Sequence, residues 1–273
     1  MARLGWPGFV LTALVVAGTF LAACTLSGPV PAATPTVTPV EDKATWDLVL
    51  LSDSSGWGVA DLYAAYLEED LDVTVAVHDL SAGSLSAGSV LAALRGERSV
   101  YPLSVDVPGL VREAEVVVVY GNPVDSISAS HPGDWHCTPG QVPYVRDCAP
   151  EVFDAYRADL EAIYAEILGL RGGAPVLIRA FDAYNPLYSV YREHAVYDEC
   201  VSCWEKYNEA IRQAAAAYHV PVARVFDAFN GANHDEDPRD KGYIGADGIH
   251  ATAQGHQAIA DCLRELGYEP VEP

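Results

Sequence analysis

The run Ala114-Glu-Val-Val-Val-Val-Tyr120 constrains this chain more than any other. Successive residues of a strand face opposite sides of their sheet. A strand that is apolar at every position must therefore be covered on both faces. That is the interior strand of a parallel sheet flanked by helices. Four further runs read as strands: Asp47–Ser52, Val73–Leu80, Pro175–Ala180 and Pro221–Phe226. Between them lie helical patterns through about Leu67, at about Ser89–Leu94, Pro150–Leu168 and Trp204–Tyr218, and last at Ala253–Leu266. Strands alternating with helices predict an α/β fold with a five-stranded parallel sheet and helices on both faces. The folded domain is expected to run from residue 45 to 273.

The segment before it has a different character. Arg3 precedes an apolar stretch that is short for a membrane span and ends in small residues. Residues 1–23 read as an export signal. Leu21-Ala22-Ala23-Cys24 resembles a bacterial lipobox, which implies lipidation of Cys24 and attachment to the outer face of a bacterial membrane. The Thr/Pro-rich stretch up to residue 44 has no apolar period and reads as an extended tether, reaching up to about 60 Å at ~3.1 Å per residue.

Export bears on the cysteines, because an oxidising compartment favours disulfides. Cys137 and Cys148 flank a Pro/Gly-containing loop and are natural partners. Cys200 and Cys203 form a C-x-x-C read as structural rather than redox-active, with Cys262 left over. A zinc site there would need ligands that His194 alone does not supply. The formal net charge of −22 argues against nucleic acid and anionic lipid as partners. The membrane is expected to be met through the lipid anchor alone.

In open parallel sheets ligands bind beyond the carboxyl ends of the strands. Four segments that follow strands carry chemistry. Ser54, in Ser52-Asp-Ser-Ser-Gly56, sits at a strand-to-helix turn where N–H groups favour negative charge, with Ser55 as the competing hydroxyl. Gly83 (or Gly88) would let the backbone approach a substrate closely. Asn122 offers a side-chain N–H at the end of the third strand. Asp247 stands three residues before His250, a spacing that puts an orienting acid beside a base, and His256 is the weaker alternative.

In that order, Ser54, Gly83, Asn122 and the Asp247/His250 pair resemble the SGNH (GDSL-type) hydrolases, over about residues 46–267. The stretch Asp247-Gly-Ile-His-Ala-Thr-Ala-Gln-Gly-His256 looks like that family's last block. The resemblance implies a three-layer α/β/α sandwich with a flavodoxin-like sheet. It implies Ser54 as nucleophile, His250 as base and Asp247 as its orienter. It further implies an oxyanion hole from the Ser54 and Gly83 backbone N–H groups and the Asn122 amide. No metal or organic cofactor is expected. Two positions depart from the family pattern. Ser52 stands where the first block has glycine, and Pro123 stands where an acid follows the asparagine.

The expected activity is hydrolysis of O-acyl esters through an acyl-enzyme, with a small-molecule or glycan ester as substrate. Acetyl groups on carbohydrate suit the aromatic loops at about 123–150 and 182–203 (Trp135, Tyr144, Tyr184, Tyr188, Tyr191, Tyr197), unless those rings pack on the core. A non-catalytic glycan- or ligand-binding surface module and an acyltransferase are the alternatives on the same fold.

Overall fold

The computed structural model of the chain describes residues 44–83, 85–97, 105–122 and 150–271. Strands β1 (Thr45–Ser52), β2 (Thr74–Asp79), β3 (Val116–Tyr120), β4 (Leu177–Phe181) and β5 (Val222–Ala223) form one sheet in the order β2-β1-β3-β4-β5. Every pairing is parallel. This is the expected flavodoxin-like order. β3 and β4 are buried at all five positions, as the valine run requires, whereas the edge strand β2 is buried at none. Each valine of β3 removed from water contributes about 1.5–3 kcal/mol to the core.

Helices cover both faces. On one, α1 (Val59–Leu71) packs against the C-terminal helix α8 (Ala253–Arg264). On the other, α2 (Ala87–Leu94) and α3 (Val107–Glu113) pack on α4 (Pro150–Arg171). The short α5 (Tyr188–Glu193) leads into α6 (Tyr197–Ala217), which packs against α4, and α7 (Val225–Asn230) follows β5 and touches α8. No helix among the described residues is long and apolar enough to cross a membrane.

Two boundaries and one helix differ from the sequence expectation. The fifth strand, expected over 221–226, stops after two residues because Val225 and Phe226 open α7. The cause is Asp182 at the end of β4. Its carboxylate accepts the Phe226 N–H at 2.8 Å, and its own N–H donates to the Ala223 carbonyl at 3.1 Å. A side chain from another strand thus caps this helix and ends the strand. The expectation missed α3, whose signal was Asp106 as N-cap, accepting from Gly109 N–H, with Pro108 in the first turn. α6 starts seven residues earlier than Trp204, since the aromatic stretch 197–204 buries Tyr197, Cys200, Cys203 and Trp204 on one face.

Candidate active site

The sheet order reverses at β1, so the connections leaving β1 and β3 run in opposite directions and open a crevice between their carboxyl ends. Both ends carry candidate residues. After β1 the chain turns through a single 3-10 turn, Ser54–Gly56, capped by Asp53, whose carboxylate accepts the Ser55 N–H at 2.7 Å. Gly56 is required here. A Cβ on it would lie 2.5 Å from both Cβ and Oγ of Ser52, so the turn presses directly onto the end of its own strand. Gly58 then adopts φ +72° to start α1.

Asp247 and His250 arrive from the far end of the chain, in the turn before α8. Asp247 Oδ1 accepts the backbone N–H groups of Ile249 and His250, each at 3.0 Å. Its Oδ2 lies 2.6 Å from His250 Nδ1. The Ile249 N–H first, then the His250 ring and backbone, pull the Asp247 carboxyl down to about 2. An ionised carboxylate can only accept, so Nδ1 carries the proton and Nε2 is left as an acceptor. Ser54 Oγ is 3.1 Å from that nitrogen. A hydroxyl so placed can pass its proton to the imidazole as it attacks an electrophile.

The other candidates gather around this line. Asn122 follows β3, is nearly buried, and donates its side-chain amide to Asp53. Its backbone is locked to the 85–87 segment, donating to the Leu85 carbonyl and accepting from Ala87 N–H. Asp53, the acid that precedes Ser54, is thus the carboxylate that holds the Asn122 amide. Gly83 lies in the exposed turn after β2; a Cβ there would be 3.9 Å from the Trp57 ring. Gly88 falls inside α2, and the Ser55 side chain lies near Tyr184, whereas it is Ser54 that meets His250. His256 sits in α8 beside Gly58, its pKa lowered by burial and by His250.

Two contributors were missed by the sequence reading, and a third, Tyr184, was read in another role. Asp53 entered only as the neighbour of Ser54 in the turn after the first strand. Trp57 stacks on His250, with ring centroids 5.3 Å apart and planes 22° from parallel. Tyr184, buried and stacked on Phe229, donates its hydroxyl to the Ile249 carbonyl at 3.2 Å, and burial raises its pKa. Of the loop aromatics expected near the site, Tyr184, Tyr191 and Tyr197 are buried and Tyr188 is partly buried. Their rings pack the core, and that is the reading the structure selects; Trp135 and Tyr144 lie outside the described residues. So do Cys24, Cys137 and Cys148. Cys200 and Cys203 are buried on α6, while Cys262 is a free thiol that burial raises to about 11. Among the described residues no group of three or more His, Cys, Asp or Glu side chains is arranged to hold a metal ion.

Residues 51–258, a span that begins at the end of β1 and takes in Asp247 and His250, match the model of the GDSL-like lipase/acylhydrolase family. The chain belongs to that family. Its class is therefore ester hydrolysis. The GDSL fold is also found by structural comparison. A lipase from a goat rumen metagenome superposes with a TM-score of 0.61 at 20% identity, over 83% of this chain and 100% of that one. A variant of Axe2, an acetyl xylan esterase from Geobacillus stearothermophilus, gives 0.54 at 14% identity, over 85% and 99%. In sequence, the spore germination lipase LipC of Bacillus licheniformis is 27% identical over 97 residues, 35% of this chain. The match spans 39% of that lipase.

Proposed function

We propose that this GDSL-family chain is a serine esterase that works through Ser54, His250 and Asp247. One observation carries the reading: the unbroken line from Ser54 Oγ to His250 Nε2 at 3.1 Å and from Nδ1 to Asp247 Oδ2 at 2.6 Å. Ser54 attacks the ester carbonyl and gives its proton to His250. The backbone N–H groups of Ser54 and Gly83 and the Asn122 amide receive the oxyanion. His250 then protonates the departing alcohol, and water, activated by the same imidazole, releases the acid. The His250 and Asp247 side chains are 39% and 52% exposed, which suits a water-accessible deacylation over transfer to a second alcohol.

The substrate proposed is a small O-acyl ester, with O-acetyl groups on carbohydrate as the natural case. An acetyl xylan esterase among the fold neighbours is consistent with it. The domain is further proposed to act at a bacterial cell surface, held by lipidated Cys24 on its Thr/Pro-rich tether, with Cys137, Cys148, Cys200 and Cys203 in disulfides. The test is turnover of p-nitrophenyl acetate by the wild-type chain beside Ser54→Ala. Activity that disappears in the variant supports the nucleophile; equal activity in both would overturn it.

A further inference from the structure

Among the described residues two large apolar side chains stand out in solvent, Trp57 at 43% and Ile249 at 38% exposure. Single exposed apolar residues are ordinary. Here the location gives them meaning, because both border His250. Trp57 stacks on its imidazole, and Ile249 directly precedes it, with its N–H fixed by Asp247 and its carbonyl by Tyr184. The indole also lies next to Gly83, so the ring stands between the base and the turn after β2.

The chemistry of the proposed esterase decides what passes these side chains, and the inference rests on that reading. When the tetrahedral intermediate collapses, the carbon–oxygen bond to the alcohol breaks and its electron pair leaves with the alcohol oxygen. The proton held on His250 Nε2 goes to that same oxygen. The alcohol portion therefore lies against His250, while the oxyanion lies against the N–H donors. Trp57 is the exposed apolar ring stacked on that imidazole, and Ile249 is the exposed apolar residue that precedes it. An indole face attracts rings and polarised C–H groups through its quadrupole.

We infer that Trp57 and Ile249 form the leaving-group subsite, and that it takes a cyclic alcohol with a flat apolar face: an aryl alcohol or the C–H face of a pyranose.

The test uses acetate esters that share the acyl group and differ in the alcohol: ethyl acetate, benzyl acetate and a methyl mono-O-acetyl-xylopyranoside. Each is measured with wild type, Trp57→Ala and Ile249→Ala. Any effect of Trp57 on the imidazole itself is common to all three esters and cancels in their ratios. In Trp57→Ala the ring-alcohol preference in kcat/KM is expected to fall about three- to ten-fold, carried by KM. Ile249→Ala moves it the same way by less. The acetyl-to-butyryl ratio on p-nitrophenol stays unchanged. A loss confined to the benzyl ester assigns an aryl alcohol, and one confined to the xyloside assigns a sugar. An equal loss on all three esters overturns the subsite, as does a change in acyl preference instead. A wild-type chain inert to every ester would overturn the esterase reading and this inference with it.

Discussion

Asp53 receives the side-chain amide of Asn122, a residue 69 positions further along the chain. The residue that precedes the proposed nucleophile therefore orients the proposed oxyanion donor. One buried carboxylate ties the turn after β1 to the turn after β3, and also caps the turn holding Ser54. If Asn122 serves the oxyanion, Asp53 acts through it. Asn122→Ala is expected to lower kcat by about 10²–10³, the usual loss for one such donor. Asp53→Asn should cost less and should add little in the Asn122→Ala background, because partners in one network are not additive. A double-mutant cycle on kcat measures this, and full additivity would separate the two residues.

Asp247 holds His250 in one tautomer, and its own pKa is depressed to about 2 by the Ile249 N–H and by His250. A depressed carboxyl keeps its charge above the ordinary value of 3.8 and loses it only as pH falls through about 2. The orienting charge is thus constant wherever an esterase assay is run. Asp247→Asn is expected to lower kcat by on the order of 10⁴ at every pH from about 5 to 9, as seen where an amide imposes the wrong tautomer. A pH–rate profile of the variant checks it; a loss confined to one limb would contradict the assignment.

Tyr184 holds the turn that carries Asp247 and His250 by donating its hydroxyl to the Ile249 carbonyl. Its ring, stacked on Phe229 at 4.5 Å, belongs to the core. Tyr184→Phe keeps the ring and removes the hydroxyl. One hydrogen bond is worth about 0.5–1.5 kcal/mol, so kcat should fall about two- to twelve-fold with KM little changed. A rise in KM at constant kcat would place Tyr184 in substrate binding instead.

Asp182 is wholly buried, and burial raises its pKa to about 6 against the pull of Phe226 N–H, Arg212 and Arg224. For an acid whose folded pKa is raised, the folded state binds the extra proton. Its stability contribution is full below 3.8 and is lost as pH rises through about 6. The Tm difference between Asp182→Asn and wild type should therefore move in the variant's favour from about pH 4 to 6 and level off above 7. Thermal unfolding at several pH values reads this directly. A flat difference would mean that Arg212, 3.1 Å from the carboxylate, offsets the burial in full.

How far the sequence could be read depended on the range of each interaction. The valine run at 116–119 can satisfy its burial only inside a covered parallel sheet, so the layers and strand count followed from local pattern. That the segments carrying Ser54, Gly83, Asn122, Asp247 and His250 gather at one sheet edge was legible, because each follows a strand or opens a helix and parallel connectivity sends such segments there. Asp247 and His250 are three residues apart, close enough for one turn to pair them.

Contacts between residues distant in sequence were not legible. No local pattern says that Asp182 ends the fifth strand and caps α7, that Asp53 holds the Asn122 amide, or that Trp57 rests on His250. Nor does composition say that Tyr184, Tyr191 and Tyr197 turn inward. The sequence by itself determined the layers, the edge where the candidate residues gather and their types, because those rest on periodicity and on connection length. Only the tertiary structure decided which side chains orient the site and which surface borders the base. Those depend on distances across the sheet, and packing alone sets them.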